Sequence, residues 1–232
     1  MAAAVSMPDY DGLPVAIPVF PLTGALLLPG GEMPLNIFEP RYIAMIEWAL
    51  GEGRWLGMVQ PRDTREQTVS DTHPMFGVGC LGRITQFSET GDGRYLITVS
   101  GKCRFSVAEE LSMLNGFRRV APAYDAFAGD LGDMELDAAL RQDLFQALKA
   151  YLEKNGYEPD WEALENTPDV ALVASMAMAC PFEPAEKQAL LEAEDLAART
   201  RCLIAVLDMA QHDEAAPDPD ADGGSDKTRS RH

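Results

Sequence analysis

The apolar positions of this chain follow two different periods. Up to about residue 124 they come in short runs or in strict alternation. From about residue 133 they recur at spacings of three and four. Alternation is the mark of a half-buried strand, and the wider spacing that of an amphipathic helix. The stretch Ile17–Tyr42 sets the pattern for the first part. It places Val19-Phe20, Leu26-Leu27-Leu28, Leu35 and Ile37-Phe38 between prolines at 18, 21, 29, 34 and 40 and glycines at 24, 30 and 31. Proline has no N–H and a fixed φ, so it is confined to strand edges, strand starts, bulges and turns. These runs therefore read as buried, bent strands of a small barrel, with Pro29-Gly30-Gly31 as a tight connection. Glu39-Pro40 reads as a helix start, proline being suited to the first helical position. Tyr42, Met45, Ile46 and Ala49 then share one face of a helix from Arg41 to about Leu50, stopped at Gly51-Glu52-Gly53.

Trp55–Gln60 reads as a third strand ended by Pro61, and the polar stretch from Arg62 to Pro74 as a surface loop. Phe76–Glu89 is strand-like. Its glycines at 77, 79 and 82 mark a bulge or the close approach of another backbone. Thr90-Gly91-Asp92-Gly93-Arg94 supplies a hairpin turn. Tyr95, Ile97 and Val99, then Cys103, Phe105 and Val107, alternate with polar positions including Arg104, and Phe117–Tyr124 adds a last strand. After the break at Ala128–Asp133, Asp133 reads as the cap of a helix striped by Leu136, Leu140, Leu144, Leu148 and Tyr151. A helix over Asp169–Cys180 is apolar on most sides and reads as the buried centre of a bundle. Another starts at Glu183-Pro184, and the last runs from about Asp195 to Ala210.

The predicted class is thus α+β. The organisation is a leader over 1–16, a β pseudo-barrel with one inserted helix over 17–127, a helical bundle over 128–212 and a disordered acidic tail over 213–232.

Charge changes this picture little. The 232 residues carry a formal net charge of −18, most of it in the second half. An acidic chain repels nucleic-acid phosphate, so nucleic acid is not an expected partner. The basic set Arg83, Arg94, Lys102, Arg104, Arg118 and Arg119 lacks interleaved aromatics and reads as exposed strand positions. Cysteines 80, 103, 180 and 202 form no C-x-x-C pair and are expected as buried thiols. The longest apolar run, Val170–Cys180, falls short of the roughly 20 residues that cross a membrane. No signal peptide is read at the N-terminus, and the expected location is the cytoplasm.

Candidate chemistry is sparse. Gly101-Lys102 lacks the rest of a phosphate-binding loop, and no G-x-S-x-G occurs. His73, His212 and His232 are scattered. Asp218, Asp220, Asp222 and Gly223 match the opening of a calcium loop, but the position of its bidentate glutamate is Arg229. Neither a metal nor a cofactor is expected.

The ordered pieces PVFPL, LLPGGEMPLNIFEPRY, GVGCLGRI, GDGRYLITVSGKCRFSV and EKQALLE together resemble the N-terminal, substrate-binding domain of Lon proteases over about residues 15–210. The resemblance implies a PUA-like pseudo-barrel followed by helices, in a stand-alone form without the ATPase and protease domains. It implies a non-catalytic protein that recognises unfolded or client polypeptides, with a protease or chaperone made separately as a further partner. The candidate peptide contacts are Phe20, Leu27, Phe38, Tyr42, Trp55 and Met58, whose apolar surface suits a groove for an extended chain. Two alternatives stand beside this one: an RNA-binding PUA-like module, and an enzyme of unknown chemistry in the barrel cleft.

Overall fold

A computed structural model describes residues 12–62 and 73–212. The six strands are β1 (Ile17–Pro21), β2 (Glu32–Ile37), β3 (Trp55–Val59), β4 (Val78–Glu89), β5 (Tyr95–Leu114) and β6 (Phe117–Ala123), with helix α1 (Pro40–Gly51) between β2 and β3. A 3-10 helix over Asp125–Leu131 leads into α2 (Ala138–Lys154), α3 (Trp161–Glu165), α4 (Asp169–Ala179), α5 (Pro184–Glu192) and α6 (Leu196–His212). The calcium-loop-like motif, the tail and most of the polar stretch after Arg62 lie outside the described residues.

The sheet order is β2-β5-β4-β3-β1-β6, and β6 pairs back onto β5. The length of β5 makes this closure possible. Its first residues pair with β2 on one edge and β4 on the other, and its last residues, Ser106 to Leu114, pair with β6. All pairings are antiparallel except β1 with β3. Two bulges interrupt the β4–β5 pairing: Lys102 is the extra residue on β5 opposite Leu81-Gly82, and Thr85 is the extra residue on β4 between Ile84 and Gln86. Inside the barrel Ile17, Val19, Val59, Leu81, Cys103, Phe105 and Val120 form one core. A larger core joins α1 and the other face of the sheet to α2, α4, α5 and α6.

Leu26–Leu28 differ from expectation. They are buried but form no strand. They cross β5 as a loop, so close that a Cβ at Gly101 would overlap the Leu28 carbonyl oxygen. Pro29-Gly30 then turns the chain. The Gly31 N–H donates to the Leu28 carbonyl at 3.0 Å, with Gly30 at φ +78°. This is a type II turn, which wants proline and then glycine at its centre. The cap of α2 also shifts: Asp137, not Asp133, accepts from the Leu140 N–H at 2.9 Å. Leu136 therefore precedes the helix. The short α3 has no counterpart in the apolar periodicity and buries no residue.

The seam between sheet and helices is polar at its centre. Arg104 is 1 % exposed, although alternation assigned it to a solvent face. Its Nε and Nη2 donate to the two oxygens of Asp130 at 2.8 Å each, and its Nη1 donates to the Leu191 carbonyl at 3.1 Å and to that of Ala193. The Phe127 ring covers the guanidinium at 4.6 Å. Arg104 thus ties β5, the 3-10 helix and the α5–α6 connection together. Arg199 lies beside it. Burial, reinforced by the neighbouring Arg104 charge, lowers its pKa to about 10. Burial likewise raises the thiol of Cys80, and lifts that of Cys103 to about 12. A second link runs from the Gln60 amide to the Gln188 side chain at 3.1 Å and the Pro184 carbonyl at 3.2 Å.

Candidate binding cleft

The barrel is open at one end. β1 pairs with β6 only over Ile17–Val19, so Phe20 and Pro21 run on with that edge uncovered. Across the gap lies β2, which pairs with β5 and, among the described residues, with no strand on its other side. The groups that β2 turns toward the gap follow from its register. The Gly101 N–H donates to the Gly31 carbonyl at 2.9 Å, and the Gly30 N–H donates to the Gly101 carbonyl at 3.1 Å. That pattern, with Gly30 in the left-handed region, is a G1 bulge and fixes Gly31 as a residue bonded to β5. Bonded and non-bonded residues alternate along an antiparallel pair. Met33, Leu35 and Ile37 therefore bond to β5, while Glu32, Pro34 and Asn36 turn their backbone groups to the open edge. Pro34, which has no N–H to lose, occupies an outward position, as proline in a sheet must.

Two hollows that meet at Pro34 lie along this edge. The larger, about 690 Å³, is walled by Phe20, Pro21 and Leu22 on one side and Pro34 to Ile37 on the other, with Phe38, Arg41 and Tyr42 at its α1 end. The smaller, about 320 Å³, continues past Pro34 to Glu32, against Gly24–Leu26 and the end of α4 at Met178. Its loop wall is held by Lys187, whose Nζ donates to the Gly24 carbonyl at 2.8 Å. In the larger hollow the Phe20 and Tyr42 rings meet at 4.3 Å between centroids, inclined by 58°. Arg41 covers the Tyr42 ring at 4.6 Å and pairs with Glu39 at 3.0 Å. The cleft is apolar at its base, carries the Arg41–Glu39 ion pair at its rim, and presents a row of backbone donors and acceptors.

The six candidate contacts separate. Phe38 is 59 % exposed, with the Arg94 guanidinium 5.6 Å from its ring. Phe20 and Tyr42 are buried but line the cleft. Leu27 and Met58 are buried in the large core, and Trp55 is half-buried beneath Arg83, 5.3 Å away, apart from the cleft. Leu22, Leu35 and Asn36 line the cleft without having been singled out. Their signal was Pro34, which marked its strand as an edge. Of the basic set, Arg104 and Arg118 are buried, the latter bonded through Nε to Glu110 at 2.7 Å and through Nη1 to the His73 carbonyl at 2.7 Å. Among the described residues no group of three or more His, Cys, Asp or Glu side chains could hold a metal. No helix among them is long and apolar enough to cross a membrane.

Residues 16–209 match the family model described as the ATP-dependent protease La (LON) substrate-binding domain. The chain belongs to the Lon substrate-binding domain family. It is 28 % identical over 209 residues to Lon protease 2 of Sorangium cellulosum, covering 86 % of this chain and 25 % of that one. With Lon protease 2 of Thermus thermophilus the identity is 27 % over 199 residues, covering 84 % and 24 %. The chain thus spans about a quarter of the length of the curated relatives it matches. The crystal structure of a Lon N-terminal domain protein from Xanthomonas campestris shares the fold, with a TM-score of 0.60 at 22 % identity over 82 % of this chain and 97 % of that one. The N-terminal domain of Lon from Mycobacterium avium complex gives 0.59 at 21 % identity, over 83 % and 98 %. The family match runs through both the sheet and the helices and so spans Arg104 and Asp130 of the seam.

Proposed function

We propose that this protein is a non-catalytic polypeptide-recognition module that takes extended, unfolded segments of client proteins in the cleft between β1 and β2. Its role is to present clients to a protease or chaperone, in the cytoplasm. The observation that carries this reading is the union of an apolar base with an unpaired strand edge in one accessible hollow. Apolar side chains of an unfolded chain gain by leaving water there, and its backbone finds partners that a folded protein has already used internally. Phe20, Phe38 and Tyr42 supply the apolar contacts, and β2 supplies direction. Family membership favours the same reading, since the matching domain is described by its binding of substrate.

The test is fluorescence anisotropy with a labelled polypeptide kept unfolded by reduction and carboxymethylation, set against the same polypeptide in its native fold. The reading expects saturable binding of the unfolded form only. It also expects Phe38→Glu, which puts a charge on an exposed contact, to weaken binding by about tenfold or more. Equal binding of both forms, or indifference to Phe38→Glu, would rule the cleft out.

A further inference from the structure

The open edge of β2 says more than that a polypeptide fits. Accepting the cleft as a polypeptide site, we infer that the client binds by adding a strand to β2, and that the favoured segments are β-prone and flanked by Lys or Arg. Three observations carry this. The outward residues of β2 are Glu32, Pro34 and Asn36, so the edge offers the N–H and C=O groups of Glu32 and Asn36 and the carbonyl of Pro34, and lacks one donor at its centre. The facing wall, Phe20 to Leu22, is apolar and contains Pro21, which has no N–H. A bound strand therefore takes its main-chain hydrogen bonds from β2 and lays side chains against β1. Finally, the chain carries a formal charge of −18, most of it in the second half, and at the edge itself Glu32 stands exposed while the nearby Arg41 is paired with Glu39 and Arg94 with Asp92. A field of that sign draws cationic segments and repels acidic ones.

Proline makes the edge asymmetric, and the asymmetry can be measured. Asn36→Pro removes an outward N–H without touching the bonds to β5. Pro34→Ala adds an outward N–H where none exists. The two substitutions should move affinity in opposite directions, which a contact made by side chains alone would not do.

The probe is a labelled nonapeptide, Lys-Val-Thr-Val-Ser-Val-Thr-Val-Lys, titrated against the full chain. Strand addition expects Asn36→Pro to bind about tenfold more weakly and Pro34→Ala about threefold more tightly, as one main-chain hydrogen bond is lost or gained. Two peptides N-methylated on alternate amides should differ by about tenfold, because a strand turns only every second N–H toward its neighbour. That comparison uses the unaltered protein, so it stands even if a variant fails to fold. Replacing the terminal lysines by glutamates should weaken binding by about tenfold at low salt, and the gap should close as salt screens it. If the peptide binds but the methylated pair are equal and both substitutions are silent, strand addition is wrong and the polypeptide site stands. If glutamate ends bind as well as lysine ends, the charge preference is wrong. If neither the peptide nor the carboxymethylated polypeptide binds, the site itself is wrong.

Discussion

Arg104 and Asn36 belong to the same sheet and meet opposite conditions. At the seam under the helices, the Arg104 guanidinium is closed in and bonded to Asp130 and to the carbonyls of Leu191, Ala193 and Glu194. At the edge of β2, the backbone of Asn36 faces a hollow. Buried polar groups are costly unless paired, and the seam largely obeys that rule, Arg199 Nη2 and Gln60 Oε1 being exceptions. An open strand edge is also a hazard, because it invites pairing with any other chain. Here Pro34 and the Gly30-Gly31 bulge blunt the edge without closing it. The comparison teaches that the fold can satisfy its polar groups where it needs rigidity, and leaves a short, guarded row of them open along the cleft proposed to take polypeptide.

The comparison breaks most visibly at the seam. Asp130→Ala should cost about 3–5 kcal/mol in urea unfolding, since it strands a buried guanidinium beside Arg199. A loss below about 1 kcal/mol would mean that water or another side chain replaces the carboxylate. Adding Arg104→Met should restore only part of the loss, because the three carbonyls that Arg104 serves would then lack a donor. Gly101→Ala comes next, at about 3 kcal/mol, because its Cβ would overlap a backbone carbonyl rather than a movable side chain.

The third effect depends on pH. The Cys103 thiol is raised to about 12, chiefly by burial. A raised thiol pKa means that the unfolded chain ionises first. The stability it contributes is intact below about pH 8.5 and is lost as pH climbs toward the folded value. Unfolding free energy should therefore decline through the alkaline range, and Cys103→Ala should make that decline shallower, as read from urea midpoints at several pH values. The smallest stability effect belongs to the cleft. Phe38→Ala should change stability by no more than about 0.5 kcal/mol, because the side chain is 59 % exposed. It should nonetheless weaken capture of the carboxymethylated polypeptide by about fivefold.

Much of this architecture is legible in the residues. The prolines from 18 to 40 locate strand ends and the turn, and Pro34 alone announces an edge. Pro40, Pro168 and Pro184 locate helix starts, and Glu183 with Glu186 forms the capping box of α5. The seam was not legible, for a physical reason. Alternation around Arg104 separates two faces of a strand, yet says nothing of what covers each. Arg104 occupies the outward face, and that face is roofed by helices. Its partner Asp130 sits in a glycine- and aspartate-rich stretch that reads as a linker. Leu26–Leu28 misled in a related way: a buried run of three need not be a strand when it lies over a glycine of the sheet. Within the cleft, Phe20, Phe38 and Tyr42 were legible as large apolar groups beside prolines. Leu27 and Met58 could not be told from them, because composition does not separate a core side chain from one lining a hollow.

Amide hydrogen exchange of the full chain, with and without the carboxymethylated polypeptide, tests the central claim most directly. The account expects new protection at the Glu32 and Asn36 amides, whose N–H groups face the cleft, with little change at Met33 and Leu35, already bonded to β5. Protection confined to the helical surface, or none along β2 under saturating polypeptide, would contradict it.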